Sequence, residues 1–112
     1  VVNIAGVCDR RGGLGTGTQN LLGKGFEDKP DLRKLASPVT HVAKGGPPVY
    51  TLHGEDDRIV LPDSAKQLDE ALKKADVEHE LRIVPKLGHN PINAETMAPV
   101  AVWLAKKLKK AE

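Results

Sequence analysis

The shortages in this chain decide more than its abundances. There is one cysteine, Cys8, so no disulfide can form within the chain, and that count leaves export open. Aromatic residues are limited to Phe26, Tyr50 and Trp103, so a core built here must be aliphatic. No apolar run approaches the roughly 18–20 residues needed to cross a bilayer. The net charge is +2, too small to argue for a nucleic-acid partner. The one basic cluster, Lys106, Lys107, Lys109 and Lys110, closes the last predicted helix, where cations complement the helix dipole. The chain opens on Val1-Val2-Asn3-Ile4 without methionine, so the true N-terminus is expected elsewhere.

What is present suits a soluble globular protein. Hydrophobic residues make up 39% and charged residues 29% of the 112 positions, enough for one small domain with one core.

Val1 to Val7 reads as a strand that ends at Cys8-Asp9-Arg10-Arg11. Residues 12–30 are glycine-rich and aperiodic, and read as a long surface loop. Asp31 to Ala36 fits a short helix with Asp31 as its cap and Leu32 and Leu35 on one face. Ser37-Pro38 ends it, and another turn runs through His41. Gly45-Gly46-Pro47-Pro48 breaks the chain before a strand at Val49 to His53. Asp63 to Ala75 reads as a helix with Ala65, Leu68 and Leu72 on its inner face. Glu80 to Val84 follows as a strand, with a start as early as Val77 allowed. The last helix carries an apolar stripe of Met97, Val100, Ala101, Leu104 and Leu108. Pro99 belongs in its first turn, which makes Thr96 the expected N-cap and Asn93 part of a separate turn. The alternation of strand and helix implies an α/β fold with about three parallel strands and flanking helices. The first strand is expected to have a further neighbour outside this sequence.

Several motifs fail on their spacing. Gly13-Leu14-Gly15-Thr16-Gly17 does not open directly into a helix, as a dinucleotide fingerprint must. Gly17 to Gly25 has five residues before Gly23-Lys24 where a phosphate loop has four, and Gly25 where it needs Ser or Thr. His41, His53, His79 and His89 are too scattered for a zinc set. Cys8 lacks a glycine elbow and reads as a small buried residue, not a nucleophile.

One constellation survives. His53-Gly54-Glu55-Asp56-Asp57 closes the second strand, and Gly88-His89 follows the third. Strand-to-helix loops at the carboxyl ends of parallel strands are where α/β folds hold their chemistry. Asp57 and His89 sit in two such loops of one sheet edge, so they can converge. A carboxylate on one ring nitrogen would fix the tautomer and leave the other nitrogen free to take a proton from a hydroxyl. Gly88 is expected to give the turn room to present the ring. Asp56 competes with Asp57 for this role, and Glu55 is a more remote candidate.

These residues carry a resemblance. Leu21-Leu22-Gly23 with Asp31 through Val42, Pro47-Pro48-Val49 through His53-Gly54-x-x-Asp57-x-x-Val60-x-Pro62, and Pro85-x-x-Gly88-His89 resemble the C-terminal portion of α/β-hydrolase carboxylesterases. The branch is that of xylan-acetyl and feruloyl esterases and related lipases. The resemblance implies a partial α/β-hydrolase fold over residues 1–112, with Asp57 as the triad acid and His89 as the base. It implies no metal or organic cofactor, and a small ester substrate, acylated carbohydrate included. The partner it implies is the N-terminal part of the same domain. The family's Gly-x-Ser-x-Gly elbow and oxyanion loop are not in these residues, and Ser37 and Ser64 lack the elbow's setting. The nucleophile is therefore expected upstream, and the 112-residue chain alone is expected to be inactive. A peptidase of the same fold and a non-catalytic α/β binding module are the alternatives.

Overall fold

A computed structural model describes residues 1–8, 11 and 29–111. Of the stretch 12–30 read as a loop, residues 12–28 lie outside the described residues, as do the rejected phosphate-loop motifs and Leu21-Leu22-Gly23, while Pro30 belongs to a helix.

Three strands form one parallel sheet in the order β1 (Val2–Ile4), β2 (Val49–Gly54), β3 (His79–Val84). Val2 to Ile4 pair with Tyr50 to Leu52, and Val49 to Gly54 pair with His79 to Val84. The expected parallel α/β arrangement is present. β2 is central, and all six of its residues are buried. Burial takes in the polar Thr51 and His53 together with Val49, Tyr50 and Leu52.

β1 is shorter than the expected span of Val1 to Val7. The Ala5 N–H makes a last bond to the Leu52 carbonyl at 3.0 Å. Its φ of 54° then turns the backbone out of the strand region.

The helices are α1 (Pro30–Leu35), α2 (Asp63–Lys74) and α3 (Ala94–Ala111), with a 3₁₀ turn at Pro38–His41. Lys29, not Asp31, takes the N-cap position of α1. Pro30 starts the helix, and Asp31 lies in the first turn with no side-chain cap bond made. α2 ends one residue early, with Ala75 as its C-cap.

α2 and α3 bury their apolar stripes against different cores. Ala65, Leu68 and Leu72 are the buried residues of α2, and the two leucines pack with Cys8, Val49 and Val77. Val100 and Trp103 of α3 pack with Tyr50, Leu52 and Val84. Successive β2 residues therefore serve alternate sides, Val49 one and Tyr50 and Leu52 the other. Trp103 meets Tyr50 edge-on, with ring centroids 5.5 Å apart.

Two expectations for α3 are overturned. The N-cap is Asn93, not Thr96. The Asn93 Oδ1 accepts the Thr96 N–H at 2.9 Å, and the Thr96 hydroxyl accepts the Asn93 N–H at 3.0 Å. This reciprocal pair is a capping box, and it leaves Pro99 one turn further into the helix. The buried face also differs from the expected stripe: Val100 and Trp103 are buried, whereas Ala101, Leu104 and Leu108 are exposed. Trp103 offers far more apolar area than Leu104 and wins the contact with Tyr50. Lys107 lies 5.8 Å over the Trp103 ring and pairs with Glu78, so one lysine of the basic cluster is bound into the helix–sheet junction. No helix among the described residues is long and apolar enough to cross a membrane.

These two leucine environments make a direct comparison. Leu52→Ala removes a fully buried side chain and is expected to cost about 2–5 kcal/mol. Leu108→Ala, on an exposed position, is expected to stay within about 0.5 kcal/mol. Urea unfolding of the two variants beside the parent measures both. A larger loss at Leu108 would contradict the assigned face of α3.

Candidate active site

The parallel pairing of β2 and β3 brings two loops, residues 55–62 and 85–93, to the same sheet edge. Backbone bonds then tie them. The Glu55 N–H donates to the Val84 carbonyl and the Asp56 N–H to the Leu87 carbonyl, both at 2.9 Å. Gly54 permits the approach. A Cβ there would collide with the carbonyl oxygens of Gly88 and Leu87 and lie 2.8 Å from the Leu87 carbonyl carbon. Gly88 was the glycine expected to provide room, yet a Cβ at Gly88 meets nothing nearer than the Asp56 carbonyl at 3.9 Å. The steric requirement falls on Gly54, one loop earlier.

Within this junction Asp57 is 1% exposed. Its Oδ1 accepts the N–H groups of Ile59 and Val60 at 2.9 and 2.8 Å. Its Oδ2 lies 2.9 Å from His89 Nδ1. The His89 side chain is 42% exposed, so the ring is anchored on the acid yet open to solvent. Asp56 and Glu55 are both exposed. Of the three adjacent acids, Asp57 is the one that reaches the imidazole.

Burial alone would push the Asp57 carboxyl up. The hydrogen bond from His89, those from the Val60 and Ile59 N–H groups and the positive charge of protonated His89 outweigh it, and hold the carboxyl below its ordinary value of 3.8. The pair is therefore built around a carboxylate, the form that accepts a ring N–H.

The other residues weighed from sequence go elsewhere. Ser64 Oγ accepts the Cys8 N–H at 2.7 Å and donates to the Gly6 carbonyl at 3.3 Å. Ser37 is fully buried and donates to the Arg33 carbonyl at 2.7 Å. Cys8 is buried beneath α2, as expected of a small core residue. His41 Nε2 meets the Leu35 carbonyl, and His79 lies between the Val77 carbonyl and Asp69. Among the described residues no cluster of His, Cys, Asp and Glu is placed to hold a metal ion.

One neighbour of the acid was not foreseen. His53 is fully buried, with Nε2 3.1 Å from Asp57 Oδ2. Its spacing of four residues before Asp57 was visible in the sequence. The two residues span a strand end, where that spacing carries no helical meaning.

The depressed Asp57 value fixes a pH dependence. An acid whose folded value lies below its unfolded one contributes stability that is complete above the ordinary aspartate range. That contribution is lost as pH falls through the folded value. Asp57→Asn is therefore expected to be less stable than the parent at about pH 7, with the gap narrowing towards about pH 3. Urea unfolding at both pH values tests this, and a gap that stays constant would contradict it.

The comparisons with known proteins bear on the family and the fold. Residues 6–72, more than half of the chain, match the BD-FAE family. Esterase LipQ of Mycobacterium tuberculosis is 38% identical over 50 residues, which are 45% of this chain and 12% of LipQ. A truncated carbohydrate esterase from gut microbiota superposes with a TM-score of 0.87 at 22% identity, over 96% of this chain and 41% of that one. A bifunctional GH43-CE protein of Bacteroides eggerthii gives 0.83 at 28% identity, over 96% of this chain and 16% of that one. The matched part is thus well under half the length of each of these relatives. With the family match joined to three parallel strands and flanking helices, the chain belongs to the BD-FAE family, esterase-type hydrolases of the α/β-hydrolase fold.

Proposed function

We propose that this chain supplies the acid, Asp57, and the base, His89, of a Ser-Asp-His triad that cleaves carboxylic esters. The serine and the oxyanion donors belong to an upstream part of the same domain, of which residues 1–112 are the C-terminal part. The observation that carries the reading is the 2.9 Å contact between His89 Nδ1 and the buried Asp57 Oδ2.

The chemistry follows from that contact. Asp57 holds the Nδ1–H tautomer, so Nε2 presents a lone pair. Nε2 takes the serine proton as the oxygen attacks the ester carbonyl. The imidazolium that forms is stabilised by the Asp57 carboxylate, and it returns the proton to the leaving alcohol. A water molecule then repeats the sequence on the acyl-enzyme. No step requires a metal or organic cofactor. The carbohydrate esterase among the structural relatives supports an acylated carbohydrate as the ester class to test first.

Asp57→Asn in the full-length enzyme is expected to keep the fold and favour the wrong histidine tautomer. A loss in kcat on the order of 10³–10⁴-fold should follow, by analogy with the serine-protease triad. Asp56→Asn, on an exposed side chain, is expected to lose less than about tenfold. Both are measured at saturating ester, with circular dichroism to confirm folding. A folded, inactive Asp56→Asn beside an active Asp57→Asn would assign the acid one residue earlier. Residues 1–112 alone are expected to show no ester turnover that His89→Ala abolishes.

A further inference from the structure

His53 is 0% exposed at the carboxyl end of β2. Its Nε2 lies 2.7 Å from the Val60 carbonyl oxygen and 3.1 Å from Asp57 Oδ2. Both neighbours are acceptors, so the ring hydrogen sits on Nε2. Nδ1 is buried and has no hydrogen-bond partner among the described residues. A buried acceptor left unsatisfied is unfavourable, and an apolar side chain of similar volume would avoid that cost. The reason for a histidine must therefore lie with Nε2.

We propose that His53 is a positioning residue for the acid, an inference that rests on the triad reading. Its Nε2–H holds the Val60 carbonyl, and the N–H of the same residue, Val60, holds Asp57 Oδ1. The loop from Asp57 to Val60 is thereby closed on itself and fastened to the central strand. The polarised N–H also lies beside Oδ2, the oxygen that receives His89. His53 touches neither substrate nor nucleophile in this role. It sets the direction from which the Asp57 carboxylate meets His89, and so the tautomer that His89 presents. A histidine present only as core filling would depend on its volume and not on its donor.

The test uses the full-length enzyme. His53→Phe keeps the ring volume and removes the donor. His53→Gln returns an amide N–H near the position of Nε2. His53→Phe is expected to lower kcat by about ten- to a hundredfold, with KM changed by less than about twofold. His53→Gln is expected to recover kcat to within about fivefold of the parent. In the parent protein labelled with ¹⁵N-histidine, the His53 signal is expected to show a protonated Nε2 and a bare Nδ1. In a folded His53→Phe the His89 signal is expected to shift towards the Nε2–H tautomer.

A folded His53→Phe with parent kcat overturns the inference, and so does His53→Gln as impaired as His53→Phe. If His53→Phe does not fold, the parent spectrum and His53→Gln decide. A protonated Nδ1 on His53, or a folded His53→Gln with kcat down tenfold or more, then overturns it. His89→Ala separates the two levels. Full activity in His89→Ala defeats the triad reading itself. An inactive His89→Ala beside an unaffected His53→Phe defeats only the role of His53.

Discussion

A buried negative charge organises this end of the sheet. Asp57 is 1% exposed, and a carboxylate so placed is tolerated only when its oxygens are met by donors. The donors come from two places, the backbone of Ile59 and Val60 and the ring of His89, while His53 Nε2 lies 3.1 Å from Oδ2. Satisfying Asp57 therefore requires the loop after β2 to fold back on itself and the loop after β3 to lie against it. The Asp56 N–H to Leu87 carbonyl bond and the bare backbone at Gly54 serve that same approach. The backbone bonds hold the two loops together, and the carboxylate adds the side-chain contact that orients His89 between them.

The sheet supplies the precision that loops lack. β2 is buried throughout and paired on both sides, and helices pack their apolar faces on it through two separate clusters. His53 and Gly54 belong to this strand, so the ring beside the acid and the close-approach point are held by a buried strand paired on both sides. His89 is the exposed member, which suits the role of base proposed for it. In the proposed triad, a buried acid beneath an accessible base would allow proton transfer without reorganisation of the charge that stabilises it.

Much of this was legible in the sequence. The runs Val49–His53 and Glu80–Val84, and the 3.6-residue spacing of Ala65, Leu68 and Leu72, correspond to β2, β3 and α2. The chain order of acid before histidine on consecutive strands was enough to bring Asp57 and His89 together. The errors have physical causes. The Asn93–Thr96 capping box is reciprocal, so either residue reads as the cap, and Pro99 misled by favouring the later start. The stripe on α3 was counted from Met97, Val100, Ala101, Leu104 and Leu108, while a tryptophan with an aromatic partner on the sheet set the buried face. Gly88 was credited with the room that Gly54 provides, because a close approach between two loops is a tertiary fact with no local signature. His53 went unassigned for the same reason: its partners are a carbonyl and a carboxylate that become neighbours only when the loop closes.

The central claim is that the Asp57–His89 pair activates a serine that lies outside residues 1–112. A fluorophosphonate probe on the full-length protein tests it most directly, since such probes react with a serine whose proton is being withdrawn by a base. Peptide mass spectrometry is expected to find the label on one serine upstream of Val1, and His89→Ala to slow labelling on the order of a thousandfold or more. Labelling of Ser37 or Ser64, or an upstream serine labelled equally fast in His89→Ala, would contradict it.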